Sequence, residues 1–361
     1  MVAEPTGLEH DTPVTITSTS ATERAGFRKC RRQWLLTVVH RLDPQEGNVN
    51  FFLGTIYHKG LEAYYVALKD GASGYAAEAV ALDAYQEHFD TDLARVTADL
   101  GFLAAFGIPA FRDAGELGFE MLQNYLERER AEPLLDEVIA VEFRVNVDIV
   151  DEAGKVVGVL SVQADVVGMK DGELTVVDHK TASRTMPSAH LDLDDQLTAE
   201  VYSWWKATGN FPDRVVYNVS MKKLARPPRL IRKDTALSKD KAQSTTPEMY
   251  RRAIHDNGFD LADYVDMLAF LDAREASGED PLFRREPTFR TPGQMAAFER
   301  DLLEEWRDME MVAANPSAAY PNPTSMNCGS CSVRAICTTI QDGGDVEAVI
   351  RGGYVVADPR R

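Results

Sequence analysis

The stretch GVLSVQADVVGMKDGELTVVDHK, residues 158–180, decides the fold of this chain. An Asp-Gly pair at 171–172 separates two apolar runs, and this arrangement is a strong signal for a two-residue type I′ hairpin turn. With that turn, the pairing register places Asp165 directly opposite Asp178. The sequence therefore predicts two carboxylates facing one another on an antiparallel pair of strands.

The predicted face with two acids also carries a lysine. Because strand side chains alternate, Lys180 projects from the same face as Asp178, whereas Val166, Val177 and Ala164 are expected on an apolar opposite face. Facing carboxylates repel one another, and hard oxygen ligands of this kind suit Mg²⁺ or Mn²⁺. A surface hairpin with solvated charges is the alternative, but charges in a central strand are seldom left unpaired.

Hydrophobic periodicity predicts the other elements. Residues 1–20 form a polar tail in which Ser18 or Ser20 is expected to cap a helix from Arg24 to Leu42, with Cys30 inside it. Alternating β-branched residues predict a three-stranded meander over 135–178 and a further strand at 214–221. Further helices are predicted at 54–67, 75–99, 112–132, 195–208, 258–276 and 293–312.

The chain of 361 residues is 44% hydrophobic, which is enough for one large domain or two intimate ones. No apolar run approaches the roughly 20 residues of a membrane span, and the N-terminus lacks an export signal, so we expect a cytoplasmic protein without a membrane anchor. The elements divide the chain into a tail at 1–20, a helical part at 21–135, a core of sheet and helix at 136–228, an insertion or subdomain at 229–285 and a C-terminal helix and loop at 286–361.

The charge pattern is uneven. The formal net charge of −18 argues against a polyanionic partner. A local positive channel can still guide a phosphate backbone while the rest of the surface stays acidic, although solvated surface charge remains an alternative for each group. The basic residues cluster as Arg24, Arg28, Lys29, Arg31 and Arg32, then as Lys222, Lys223, Arg226, Arg229, Arg232 and Lys233, with Arg284, Arg285 and Arg290 behind.

Four cysteines are spaced in a way that is typical of a metal centre. Cys328, Cys331 and Cys337 lie within ten residues, and Cys30 could supply a fourth thiolate for an iron–sulfur cluster or a structural zinc. Zinc usually takes paired knuckles, whereas Cys30 has no neighbouring Cys or His, so the iron–sulfur cluster is favoured. Disulfides would require an oxidising compartment, and unrelated buried thiols would not explain the close spacing.

The hairpin bearing Asp165, Asp178 and Lys180 resembles the core of the PD-(D/E)xK nucleases. Together with the four cysteines, the chain resembles the RecB-like iron–sulfur nucleases, the group of the CRISPR-associated exonucleases and the AddB nuclease domain. This resemblance implies an α/β fold: a restriction-endonuclease-like core with a central mixed sheet flanked by helices, a helical N-terminal part and a C-terminal iron–sulfur loop. It also implies a [4Fe-4S] cluster on the cysteines.

The resemblance further implies roles for particular residues. His58, in the segment GTIYHKGLE at 54–62, is similar to the helical motif that supplies a histidine metal ligand. The main-chain carbonyl of His179 would join His58, Asp165 and Asp178 as a ligand of Mg²⁺ or Mn²⁺, while Lys180 and Gln196 would act in catalysis.

The helix after the hairpin departs from the family pattern Q-x-x-x-Y. It reads QLTAEVY, so Tyr202 comes six residues after Gln196 rather than four, and turns to another side of the helix. Glu200 shares the face of Gln196 instead. Glu142, on the strand before the hairpin, is a further acidic candidate.

The resemblance implies a Mg²⁺- or Mn²⁺-dependent deoxyribonuclease that acts as an exonuclease, 5′ to 3′, on single-stranded or end-containing DNA. Such an enzyme would serve DNA recombination or repair, with possible partner proteins in those processes. The alternative left open is a DNA-binding recombination or repair partner protein with little or no hydrolysis.

Overall fold

The computed structural model describes residues 13–45, 48–100, 104–184, 188–231, 233, 235–277 and 280–357. Residues 1–12 of the predicted tail and Arg232 of the second basic group lie outside the described residues. Among the helices in these ranges, none has the length and apolar character that crossing a membrane requires.

The helices agree closely with the periodicity of the sequence. Ser20 caps the first of them through a capping box with Glu23, which confirms one of the two predicted caps. The α-helices are α1 (Ala21–Lys29), α2 (Arg31–Trp34), α3 (Val49–Lys69), α4 (Gly74–Leu100), α5 (Ala104–Ala131), α6 (Asp195–Thr208), α7 (Pro247–Asp256), α8 (Val265–Ala276), α9 (Pro292–Ala314), α10 (Ser325–Gly329), α11 (Arg334–Asp342) and α12 (Val346–Gly353).

The predicted meander and the strand after α6 are confirmed. The strands are β1 (Ser18–Thr19), β2 (Leu42–Pro44), β3 (Glu137–Val150), β4 (Val156–Lys170), β5 (Glu173–Ala182), β6 (Arg214–Met221), β7 (Leu230–Ile231), β8 (Ala236–Leu237), β9 (Phe283–Thr288) and β10 (Tyr354–Val356).

A mixed sheet forms the centre of the molecule. β3, β4 and β5 pair in antiparallel fashion, β5 and β6 in parallel, and β6 and β9 in antiparallel. One face packs on α3, α4 and α5, and the other face packs on α6 and α9. The α/β class with helices on both faces of a mixed sheet is therefore as predicted.

The side-chain alternation of β4 is interrupted at Asp165, so the residues on either side of it face different helical layers. Ala164 packs in the layer of α6 and α9, whereas Val166 packs in the layer of α3 to α5. The prediction that Ala164 shares a face with Val166 is therefore wrong. The change coincides with Glu142 on β3, which lies between the register pairs that flank Asp165 and has a φ of 50°, a left-handed conformation that breaks strand alternation.

The prediction of one helix from Arg24 to Leu42 is wrong, because the chain leaves helical geometry at Cys30. This residue has φ −164° and ψ 110°, and separates α1 from α2. The side-chain amides of Asn322 and Asn327 donate to the Lys29 carbonyl, so contacts from the C-terminal loop replace the helical hydrogen bond. Sequence periodicity does not register such a tertiary contact.

The N-terminal and C-terminal segments pack together around the cysteines. β2 pairs with β10 in antiparallel fashion, from Leu42 opposite Val356 to Pro44 opposite Tyr354. Beneath them lies an apolar cluster whose buried members are Leu36, Leu42, Val333, Ile336, Val346 and Ile350. The two ends of the described chain therefore meet through ordinary packing and strand pairing.

The segment between β6 and β9 has an apolar cluster of its own. Tyr250, Tyr264, Met267 and Leu271 are among its buried members. β9 then returns to the main sheet at Phe283 and was not predicted from the sequence. Its charged run of Arg-Arg-Glu concealed the strand, because the apolar alternation is weak at a sheet edge.

Candidate active site

The hairpin has the register that the sequence predicts. Lys170 pairs with Glu173 and Val166 with Val177, and the main-chain ladder ends there, so the predicted pair of Asp165 opposite Asp178 is not part of it. Beyond it, Asp165 Oδ2 accepts a hydrogen bond from the main-chain N–H of His179 at 2.8 Å. The strands thus separate at Asp165, where a carboxylate takes the place of a main-chain acceptor.

Asp178 is the buried centre of the site. Its side chain is 1% exposed. Lys180 Nζ and Gln196 Nε2 both donate to Asp178 Oδ1, at 2.6 and 2.9 Å. Asp178 Oδ2 is buried and has no hydrogen-bond partner within the described residues. One oxygen is therefore held in place while the other remains available to a ligand.

The pKa values of Asp178 and Lys180 are shifted by burial and by the charges of their neighbours. Burial is the largest cause that raises the pKa of Asp178 to about 6; Lys180 opposes it and Asp165 adds to it. Burial lowers the pKa of Lys180, but Asp178 and Asp165 more than offset this and raise it. Lys180 is therefore a cation at neutral pH, beside two carboxylates that repel one another.

Glu200 is a third carboxyl at this place. It is 2% exposed, and Gln196 Nε2 donates to its Oε1 at 3.1 Å, while its Oε2 is buried without a partner in the described structure. Burial and then Asp178 raise its pKa well above the usual value. Tyr202 instead packs in the core, and its hydroxyl donates to Glu299. The structure therefore brings Glu200, and not Tyr202, to the site.

His58 reaches the site from the opposite layer of helices. Its Nδ1 lies 3.6 Å from Asp165 Oδ2. Burial, and then the charge of Lys180, lower the pKa of His58 to about 4, so the imidazole is neutral at pH 7, as a metal ligand must be. Because β4 changes face at Asp165, α3 and α6 contribute to one site from opposite sides of the sheet.

His179 directs its side chain into the layer of α3 and α5, where its ring meets the ring of His58 edge-on at 6.4 Å between centroids. Its ring stacks on Tyr65 at 5.3 Å between centroids, and its Nδ1 lies 2.8 Å from Asn218 Nδ2. Asn218 also donates to the hydroxyl of Tyr125. Sequence reasoning missed this buried network, although Asn218 within an apolar strand was a signal for it. The main chain of His179 borders the site, because its N–H donates to Asp165 Oδ2.

Glu142 lies beside Asp165 at the left-handed position of β3. Burial, and then the charges of Asp165 and Glu62, raise the pKa of Glu142 to about 7. A non-glycine residue at positive φ is uncommon and is often found at functional sites. Glu142, the further acidic candidate that the sequence indicated, therefore lies next to the site.

Comparison with protein-family models matches residues 18–338 to the PD-(D/E)XK nuclease superfamily. The chain belongs to this superfamily. The matched range includes the hairpin, α3 and all four cysteines. Among curated proteins, none matches the chain.

PD-(D/E)XK nucleases typically use divalent metal ions. In the described ranges, no three or more His, Cys, Asp or Glu side chains are arranged to hold a metal ion. The fit rests instead on the donors: two buried carboxylate oxygens without partners, on Asp178 and Glu200, beside Asp165 and a neutral His58. Hard oxygens and one imidazole nitrogen suit Mg²⁺ or Mn²⁺.

The first basic group of this PD-(D/E)XK nuclease is not an open positive surface. Arg24 is fully buried and pairs with Asp195 and Glu305. Arg28 pairs with the same two acids, and Arg31 pairs with Asp308. The prediction of a positive channel is wrong for these three arginines, because acids distant in sequence neutralise them.

The four cysteines are half-buried and free of disulfides. Burial raises the pKa of the Cys331 and Cys337 thiols, and the charges of the other cysteines, Cys30 and Cys328 among them, raise both further. The main-chain N–H of Asn322 lies 3.4 Å from Cys30 Sγ and donates to it. The fold thus brings the four thiols into one neighbourhood.

Proposed function

We propose that this nuclease hydrolyses DNA phosphodiesters with Mg²⁺ or Mn²⁺ held by His58, Asp165, Asp178 and the main-chain carbonyl of His179. The observation that carries the proposal is the buried, unpaired Oδ2 of Asp178, beside a second acid and a lysine. When bound, the metal would lower the pKa of a water molecule and offset negative charge on the phosphate.

The protein side chains would divide the remaining work. Lys180 keeps its charge and is tethered to Asp178 Oδ1, so its ammonium would orient the attacking water or contact the scissile phosphate. Gln196 donates to both Asp178 and Glu200 and would hold the two carboxylates at a fixed separation. Fixed polar groups of this kind stabilise charge without reorganising during the reaction.

Resemblance to the RecB-like nucleases supports the finer assignment. By that resemblance the enzyme would be an exonuclease with 5′ to 3′ polarity, acting on single-stranded or end-containing DNA. It would work in the cytoplasm, in DNA recombination or repair.

A structural [4Fe-4S] cluster on Cys30, Cys328, Cys331 and Cys337 belongs to the same proposal. Two observations support it. Cys30 and Cys328 raise the pKa of the Cys331 and Cys337 thiols, and the main-chain N–H of Asn322 donates to Cys30 Sγ. Main-chain hydrogen bonds to sulfur are among the contacts that tune iron–sulfur centres.

Cleavage of labelled single-stranded DNA in Mn²⁺, Mg²⁺ or EDTA tests the catalytic proposal. Asp178→Ala and Lys180→Ala should each lower the metal-dependent rate by about 10²-fold or more, since each removes a preorganised charge. Metal-dependent cleavage that survives both substitutions would contradict the mechanism.

The same hairpin offers a matched control. Asp136 and Lys170 form a surface ion pair of 2.9 Å near the turn. Lys170→Ala should leave the cleavage rate within about twofold of the wild type, because an exposed pair contributes little. A wild-type protein that binds DNA but cleaves none in either metal would favour the DNA-binding alternative.

A further inference from the structure

Phe51 is an exposed aromatic side chain on the first turn of α3. It is 75% exposed, whereas the adjacent Phe52 is 6% exposed and lies in the core. Asn48 caps this turn, and its Oδ1 accepts hydrogen bonds from the main-chain N–H groups of Asn50 and Phe51. The cap fixes the backbone, so the ring is presented to solvent from a defined position.

Phe51 and His58 lie on the same face of α3. Seven residues make nearly two helical turns, so the two residues are aligned and about 10.5 Å apart along the axis. Between them, a Cβ added at Gly54 would lie 3.8 Å from Thr181 Oγ1. This face of α3 therefore passes the end of β5, and Phe51 lies beyond the strand that carries Asp178.

Lys222 places a positive charge against Asn50, in the first turn of α3. Its Nζ donates to Asn50 Oδ1 at 3.1 Å, and its main-chain N–H donates to the carbonyl of Ala182, the last residue of β5. Within the described residues, no carboxylate lies within 4.0 Å of Lys222, in contrast to Arg28, which has two. This lysine is therefore an available cation at the end of the catalytic strands.

We propose that Phe51 and Lys222 bind an unpaired DNA strand at the entrance to the active site, with the ring stacked on a base and the ammonium on a phosphate. The proposal rests on the proposed function and specifies its substrate. Stacking needs an open base face, and bases inside a duplex are covered on both sides. An aromatic ring beside a cation is the usual means of binding single strands without regard to sequence.

Binding of the full-length protein to labelled oligo(dT) in EDTA tests the proposal without cleavage. Phe51→Ala should weaken binding about 5- to 150-fold, the range found when one base loses its stacking partner, whereas Phe51→Trp should bind within about threefold of the wild type. Phe289 provides the matched control because it is an exposed phenylalanine, at 59%, beyond the end of β9 that pairs with the start of β6. Phe289→Ala should change the affinity by less than about twofold.

Two further measurements separate stacking from general charge. Lys222→Gln should reduce the slope of log K against log salt by about 0.7, the value for one phosphate contact on a single strand. For a blunt duplex of the same length, Phe51→Ala should alter the affinity by less than about twofold, because its internal bases are covered.

Unchanged oligo(dT) binding by Phe51→Ala, or an equal loss on the duplex, would overturn the proposal. These outcomes are distinct from a failure of the proposed function. A wild type that never cleaves DNA refutes the nuclease activity alone, whereas normal cleavage with unchanged Phe51→Ala binding refutes this inference alone.

Discussion

The catalytic hairpin and the cysteine region both gather residues that are distant in sequence, but they do so by different means. At the hairpin, Asp178 and Glu200 are buried with carboxylate oxygens that have no partner in the described structure. Around the cysteines, half-buried thiols lie on a framework of apolar packing and of pairing between β2 and β10.

The difference separates a site whose unpaired groups cost stability from a region whose ligand would add to it. A buried polar group without a partner costs about 1–3 kcal/mol, which argues that the unpaired oxygens at the hairpin are retained for binding a ligand. The cysteines lie instead where the N-terminal and C-terminal segments pack together, so a ligand bound there would hold the two segments to one another. We therefore expect the hairpin to control activity and the cysteine region to control stability.

The largest effect is expected from Cys337→Ala. Loss of one thiolate should abolish the broad visible absorbance of a [4Fe-4S] cluster, since all four ligands are needed. The melting temperature should fall by about 3 °C, as for a loss of about 2 kcal/mol in a chain of this size. Absorbance spectra and thermal melts measure both quantities.

Thr338→Ala is the control for Cys337→Ala, because Thr338 is exposed on the same helix and carries no sulfur. It should retain the colour and the melting temperature. If Cys337→Ala kept its fold and its melting temperature but lost all cleavage, the division between stability and activity would fail.

A smaller effect is expected from Glu200→Gln. The substitution keeps the shape but removes a carboxylate that shares Gln196 with Asp178. Residues that support metal ligands typically contribute about 10- to 100-fold to metal affinity, so Mn²⁺ binding measured by calorimetry should weaken by about tenfold. Glu299→Gln, at the exposed partner of Tyr202, should leave Mn²⁺ binding unchanged. Equal Mn²⁺ affinity in Glu200→Gln and wild type would remove Glu200 from the site.

The smallest effect is expected from the titration of Glu142. Burial, then Asp165 and Glu62, raise its pKa from 4.5 to about 7 in the folded protein. A carboxyl whose pKa is raised by folding contributes stability that is present below its unfolded pKa and lost as the pH rises through its folded pKa. The free energy of unfolding should therefore fall between about pH 4.5 and pH 7, and Glu142→Gln should flatten this slope.

Thermal melts in EDTA across that pH range measure the effect, which we expect to be about 1 kcal/mol or less because Glu142 is partly exposed. Glu137→Gln, at an exposed position on the same strand, should leave the slope unchanged. A slope that is identical in the wild type and in Glu142→Gln would show that the neighbouring acids do not act on Glu142.

The sequence by itself determined the hairpin, because register depends on local rules. The Asp-Gly turn and strand alternation place Asp165, Asp178 and Lys180 together, and the pairs from Lys170 with Glu173 to Val166 with Val177 confirm that register. The helices with strong apolar periodicity could also be predicted from the sequence, as could the helix cap at Ser20.

Only the tertiary structure decided how the two helical layers meet at one site. The left-handed Glu142 and the change of face at Asp165 let α3 and α6 act from opposite sides of the sheet, and no local pattern encodes this. The helix break at Cys30 likewise depends on amides from Asn322 and Asn327. The neutralisation of Arg24 and Arg28 depends on Asp195 and Glu305. These features depend on contacts between residues that are distant in sequence. The packing of the whole chain determines which of these residues meet, and the neighbouring residues in the sequence do not.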